Sequence, residues 1–241
     1  MRRCIISWAK DGREYYSQGL KRLIPSAKAS GHDGDFDRQF LIVSPGLKET
    51  EISGISIHRD TPSYFTIPAH GDVPYGFKPA LFRMAFKSGF DQVLWCDSTI
   101  IIYKSLDYIW QEVKERGVFV GDNPGCPLCF WTSDDALTEM GAPKNCMTDE
   151  VMACAIAFDI RHPIAERVFW QWWHYSNDGI TFQGKSGSSR PEFRAHRHDQ
   201  SALSWLTHAH RVQREPYGVV CYHADIPKFP QHILVNTGLG Q

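Results

Sequence analysis

Short continuous apolar runs alternate with segments of helical period along the first half of the chain. Arg3 to Ala9 is a strand-length run around Cys4, Ile5, Ile6 and Trp8, and the cluster Ala9-Lys10-Asp11-Gly12 behind it reads as a turn. From Glu14 to Ile24 the apolar residues recur at helical spacing, which completes a βα unit. Phe40-Leu41-Ile42-Val43 is apolar throughout and bounded by Pro45-Gly46, the pattern of a strand buried on both faces. Ile52 to Ile57 alternates and predicts a third strand. Ala80 to Ser88 predicts a helix with Leu81, Met84 and Ala85 on one face and Gly89 as its stop. Gln92 to Cys96 is the fourth strand, and it ends at Asp97.

Beyond Asp97 the pattern predicts a strand at Ile100 to Tyr103, a helix from Leu106 to Arg116 and a strand at Val118 to Val120. Val151 to Phe158 is another strand-like run, and Pro163 opens a helix through Tyr175. Alternating strands and helices imply crossover connections, so the expected fold class is a single-domain, Rossmann-like α/β fold with a mostly parallel central sheet flanked by helices. Ligands of such sheets lie beyond the carboxyl ends of the strands. Residues 176–197 break the pattern: Gly179, Gly184, Lys185, Gly187, Arg190 and Pro191 leave little apolar content, as in a long mobile loop that serves as a lid or is a surface insertion. No internal repeat and no glycine-rich phosphate motif is present.

The chain's 241 residues suffice for a sizeable core, and 42% hydrophobic with 22% charged residues excludes disordered and coiled-coil classes. Its 26 basic and 27 acidic residues nearly cancel, so no global basic field attracts nucleic acid or an anionic membrane. No apolar run approaches the roughly eighteen residues of a membrane helix, so no membrane span is expected. Met1 to Trp8 is too short for a secretion signal and reads as the first strand of a cytoplasmic protein. Seven scattered cysteines are expected as reduced thiols. Cys126 and Cys129 form a single CxxC with no second pair to complete a zinc site.

Asp97-Ser98-Thr99 offers a carboxylate and two hydroxyls at the end of a buried strand, donors suited to a hard divalent cation; alternatively, Asp97 caps the next segment. His196, His198, Asp199 and Gln200 make a second polar cluster, ahead of the apolar positions Leu203 and Leu206. Asp199 with Ser201 also fits a helix cap, which would leave the cluster at a helix N-terminus, a favourable place for an anion. The spacing of His196 and His198 is strand-like, and without an HExxH helix a zinc hydrolase site is the weaker reading. Asp149 and Glu150 precede the Val151 run, as acceptor-binding groups or a base, or as caps. Phe169 to Tyr175 puts aromatics all round a helix, most of them core, with one free to stack on a sugar or base.

Gly76-Phe77-Lys78-Pro79-Ala80-Leu81-Phe82, a helix, and then Asp91 to Ile102 resemble the core of nucleotide-sugar-dependent glycosyltransferases with the A-type fold. Ala195-His196-Arg197-His198-Asp199-Gln200-Ser201-Ala202-Leu203 is similar to a segment of several retaining members. The resemblance implies transfer of a hexose or pentose from a nucleotide diphosphate sugar to an acceptor hydroxyl, with retention preferred. The acceptor class stays open: a glycan, a protein, a small metabolite or a modified nucleobase. Ser7, Trp8 and Ala9 at the first strand end, with Lys78, Arg83, Asp97, Ser98, Thr99 and Gln200, would bind the donor. Asp199 and Asp149 would be the catalytic pair. Asp97, Thr99 and His223 would hold Mn²⁺ or Mg²⁺, the imidazole favouring manganese. Lys185, Arg190, Arg194 and Arg197 would close over phosphate from the lid.

One position departs from that pattern. Thr99 stands where most relatives carry an acid, so the acidic motif is degenerate and the reading divides between a metal completed from elsewhere and a metal-independent enzyme. Two rivals remain. A nucleotidyltransferase would carry a glycine- and arginine-rich loop after the first strand, which Trp8-Ala9-Lys10-Asp11-Gly12 lacks. A non-catalytic sugar- or nucleotide-binding module would keep the fold and lose the second acid.

Overall fold

Cys4, Ile5 and Ile6 are buried on both faces of strand β1 (Arg3–Trp8), so this run forms an interior strand. In the computed structural model, which describes residues 1–9, 14–30, 40–43, 57–58 and 66–238, β1 pairs in parallel with β2 (Phe40–Val43). β2 pairs in parallel with β3 (Ile57–His58), and on the other side β1 pairs in parallel with β4 (Gln92–Cys96). Residues 52–56 of the expected third strand and the turn expected at Lys10-Asp11-Gly12 lie outside the described residues.

β5 (Ile100–Ile102) belongs elsewhere, as described below, and β6 (Val118–Pro127) with β7 (Asp149–Asp159) complete the main sheet in the order β3-β2-β1-β4-β7-β6. Both new pairings are antiparallel, so the sheet is parallel from β3 to β4 and mixed as a whole. The difference from the expected mostly parallel sheet arises because β7 turns back beside β6, and an antiparallel neighbour needs no crossover helix. β6 also runs well past the expected Val118 to Val120.

Helices α1 (Glu14–Ala29), α2 (Phe77–Lys87), α3 (Asp107–Arg116), the short α4 (Asp134–Glu139), α5 (Pro163–Tyr175) and α6 (His198–Ala209) cover the sheet. On one face Phe82 of α2, Phe158 of β7 and Phe169 and Trp172 of α5 pack together; on the other lie Leu20 and Leu23 of α1 and Trp110 of α3. Each such fully buried side chain contributes about 1.5–3 kcal/mol. Trp170 is the exposed member of the aromatic helix. All seven cysteines are free thiols. A second small sheet, absent from the sequence reading, joins β5 antiparallel to β9 (Leu234–Asn236), with β8 (Val220–Tyr222) parallel to β9 on its other side.

Two local features shape the edge where β4 ends. Val120 pairs with Ile156 and Gly121 with Met152, so Ala153, Cys154 and Ala155 of β7 have no partner on β6. This bulge frees the Ala153 carbonyl to accept from a side chain, while Cys154 still accepts the backbone N–H of Asp97 at 2.8 Å. From the opposite side α1 presses Gly19 against the turn that follows Asp97.

Residues 176–197 are turns attached to the body rather than an unattached loop. Arg190 donates to the Asp134 carboxylate and to the carbonyls of Cys129, Lys144 and Thr132. The backbone N–H groups of Arg194 and Arg197 reach the carbonyls of Phe130 and Trp131, and Phe182 is in the core. The Arg190 guanidinium is therefore committed to structure and turned away from the phosphate role expected of it.

A Cβ at Gly19 would lie 2.4 Å from the Ser98 carbonyl oxygen, which is backbone and cannot yield cheaply. Helix propensity alone would make Gly19→Ala stabilising by about 1 kcal/mol, whereas overpacking costs about 1–3 kcal/mol. The expected outcome in urea unfolding is a net loss of stability. A more stable variant would contradict this close approach.

Candidate active site

Lys78, on the first turn of α2, is 3% exposed and its ammonium is the centre of the site. It lies 2.8 Å from Asp199 Oδ2, 2.8 Å from the freed Ala153 carbonyl and 3.4 Å from Asp97 Oδ1. Asp199 is equally buried, on the first turn of α6, and Asp97 projects from the end of β4. Lys78 Nζ also stands 5.2 Å from the Tyr75 ring centroid and 5.5 Å from that of Trp95, both within cation–π range. Burial alone would depress the Lys78 ammonium, but the two carboxylates outweigh it and hold the group above its ordinary value. Burial pushes the Asp199 carboxyl up, with Lys78 opposing.

Lys78, Asp97, Asp199 and Tyr75 line a cavity of ≈ 340 Å³ at the carboxyl edge of the sheet, together with Arg197, Gln200, Tyr222 and Asn236. A second buried carboxylate supports its wall. Glu150 on β7 is fully buried and accepts from Arg197 Nη1 at 3.0 Å, from Gln200 Nε2 at 2.9 Å and from Ser201 Oγ at 3.2 Å. Arg197 also lies over Trp131, its guanidinium carbon 3.7 Å from the ring centroid. Burial raises the Glu150 carboxyl to about 7 despite these partners. His196 is pushed by burial down to about 4; its Nε2 faces the Thr181 carbonyl and its Nδ1 accepts from the Ser133 N–H, so it braces the wall as a neutral ring.

No protein-family model and no curated protein matches the sequence. Among solved structures, the chain is similar over its full length to the bifunctional glycosyltransferase WbbM, with a TM-score of 0.58 and 12% identity, and spans 46% of that chain. Its likeness to the galactosyltransferase LgtC, solved with donor and acceptor sugar analogs, covers 96% of this chain and 86% of that one, with a TM-score of 0.52 and 12% identity. Mouse xyloside xylosyltransferase 1 aligns over 99% of this chain and 98% of its own, with a TM-score of 0.55 and 9% identity. Identities this low show fold alone. The chain has the A-type glycosyltransferase fold.

Of the residues singled out in the sequence, Lys78, Asp97, His196, Arg197, His198, Asp199 and Gln200 line the cavity. The others are placed differently. Ser7 donates to the Cys96 carbonyl at 2.7 Å and ties β1 to β4; Trp8 stacks on Phe77 with 5.4 Å between centroids; Ala9 is buried. Ser98 is buried in the turn against Gly19. Arg83 lies over Trp173 of α5, outside the cavity lining. Asp149 sits one residue from Glu150 and, on a strand, faces the opposite way; its carbonyl accepts from Arg214 and its side chain is absent from the cavity wall.

Two of the three residues expected to hold Mn²⁺ or Mg²⁺, Asp97 and Thr99, already have partners in the fold. Asp97 Oδ1 accepts the Trp95 indole N–H at 2.7 Å and faces Lys78, and the Thr99 hydroxyl donates to Asn236 Oδ1 at 3.0 Å. His223 is exposed at the start of a short 3-10 turn, although its neighbour Tyr222 lines the cavity. No group of three or more His, Cys, Asp or Glu side chains able to hold a metal occurs among the described residues. The set has one carboxylate, and a hard divalent cation favours more than one.

The sequence reading missed Tyr75, Tyr222 and Asn236. Asn236 had a usable signal: Leu234-Val235-Asn236 is a short apolar run ending in a polar residue, the same signature that exposes Asp97.

Because the folded Glu150 binds its proton more tightly than in the unfolded chain, its contribution to stability is present below its ordinary carboxylate value and is lost as pH rises toward about 7. The difference in urea stability between wild type and Glu150→Gln should therefore shift in favour of Gln across that window, by an amount on the order of 2–3 kcal/mol. A pH-independent difference would show that Glu150 is ionised throughout.

Proposed function

We propose that the chain is a glycosyltransferase that moves a sugar from a nucleotide diphosphate sugar to an acceptor hydroxyl. The observation that carries this reading is the cavity at the carboxyl edge of the sheet, with the buried Asp199 on its wall and Asp97 at the end of β4. Its support is twofold: the similar folds are those of glycosyltransferases, and open α/β sheets bind ligands at this edge.

In the reading, Asp199 faces the anomeric carbon and stabilises the positive charge that grows there as the glycosidic bond to the diphosphate loosens. Lys78 favours the ionised form of Asp199 against its burial and orients it through the 2.8 Å contact. Gln200, whose amide N–H₂ is already donated to Glu150, presents its carbonyl oxygen to sugar hydroxyls. Tyr75 and Tyr222 on the cavity wall offer apolar faces to sugar rings while excluding water, which competes with the acceptor as nucleophile. We assign retention of configuration on the strength of the Asp199-Gln200-Ser201 segment.

Incubation with a panel of UDP-, GDP-, ADP- and dTDP-sugars should release the nucleoside diphosphate from one of them, and Asp199→Asn should lower that rate at least about 100-fold while preserving the far-ultraviolet circular dichroism. The transferred sugar should keep the donor's anomeric configuration by NMR. A folded protein that binds a donor and never turns it over would instead be a binding module.

A further inference from the structure

Of the three groups expected to serve a divalent cation, Asp97 shares its Oδ1 between Trp95 and Lys78, Thr99 donates to Asn236, and His223 lies outside the cavity lining, which leaves a single carboxylate there for a metal. A nucleotide diphosphate still needs positive charge, both to bind and to leave. Two side-chain cations line the cavity. Each has hydrogen-bonding capacity left over.

The Lys78 ammonium has three N–H donors. One is donated to the Ala153 carbonyl at 2.8 Å, and the ammonium is ion-paired with Asp199 Oδ2 at 2.8 Å. The third has only Asp97 Oδ1 at 3.4 Å, an oxygen that already accepts the Trp95 indole at 2.7 Å. That is a loose contact, and a phosphoryl oxygen can take it over at little loss to Asp97. Arg197 uses Nη1 on Glu150, while its Nε and Nη2 make no hydrogen bond among the described residues. The guanidinium is held between the Trp131 ring, 3.7 Å away, and the buried Glu150 carboxylate, so the remaining donors need little further ordering.

We propose that Lys78 and Arg197 hold the donor diphosphate directly, as two fixed side-chain cations in place of a divalent metal. The inference rests on the donor reading above. It makes neutralisation of the leaving diphosphate a property of the chain itself. The roles are separate: Lys78 is set by the two carboxylates and the β7 bulge, Arg197 by Glu150 and Trp131.

Isothermal titration of UDP, GDP, ADP and dTDP into the full chain, once in EDTA and once in MnCl₂, tests it. One nucleotide should bind in EDTA, with an affinity that Mn²⁺ improves less than about threefold, and Arg197→Gln should weaken that binding by about tenfold or more in EDTA. Arg167→Gln, which removes an exposed cation of α5 outside the cavity lining, should leave it unchanged. Because Arg197→Gln takes the counter-charge from the buried Glu150, the double variant Arg197→Gln/Glu150→Gln, which lacks both charges, should show the same loss of binding. Binding seen only with Mn²⁺, or an affinity indifferent to Arg197→Gln, overturns the inference while the donor reading stands. Absence of binding in both buffers overturns both.

Discussion

One ammonium inside the protein organises this edge of the molecule. Lys78 is nearly inaccessible, and removing such a charge from water costs several kcal/mol unless partners replace the lost hydration. Its partners come from three distant parts of the chain: Asp97 at the end of β4, the Ala153 carbonyl in β7 and Asp199 at the start of α6. None of these elements could shift by a fraction of a turn or a strand register without stranding the charge. The ion cluster therefore specifies how α2, β4, β7 and α6 meet, and the cavity is the space left where they do.

The route from backbone to chemistry passes through an irregularity. A regular β7 would pair the Ala153 carbonyl across the sheet and leave Lys78 one acceptor short. The unpaired stretch Ala153 to Ala155 opposite Val120 and Gly121 removes that conflict and also reverses which side chains face each core: Ala153 belongs to one side, Cys154 and Ala155 to the other. On the far wall Glu150 lies on the same strand, so β7 supplies both the acceptor for Lys78 and the carboxylate that fixes Arg197.

Much of this was legible from residue order. β1, β2, β4, α3 and α5 each follow from an apolar run or a helical period, and Asp97 is exposed by its position where a buried run stops. Asp199 stood out through the density of polar residues around it. The bulge was not legible, because a strand buried on both faces is apolar throughout and a shift of register leaves no mark in its sequence. The choice between Asp149 and Glu150 turned on which face of β7 meets α6, a tertiary fact. Asn236 and Tyr222 come from strands of three residues, too short for a local pattern, and the strand of Asn236 also pairs with β5 far away in the chain. The polar stretch 176–197 read as a free lid because its anchors, Arg190 above all, bond to carbonyls that any sequence carries.

The central claim is that the Lys78 and Asp199 charges depend on each other. A double-mutant cycle of Lys78→Met and Asp199→Asn, followed by urea unfolding, measures that dependence directly. The account predicts that each single variant loses stability and that the double variant loses less than their sum, with a coupling energy of about 2 kcal/mol or more. Additive losses would show the two side chains to be independent and would contradict it.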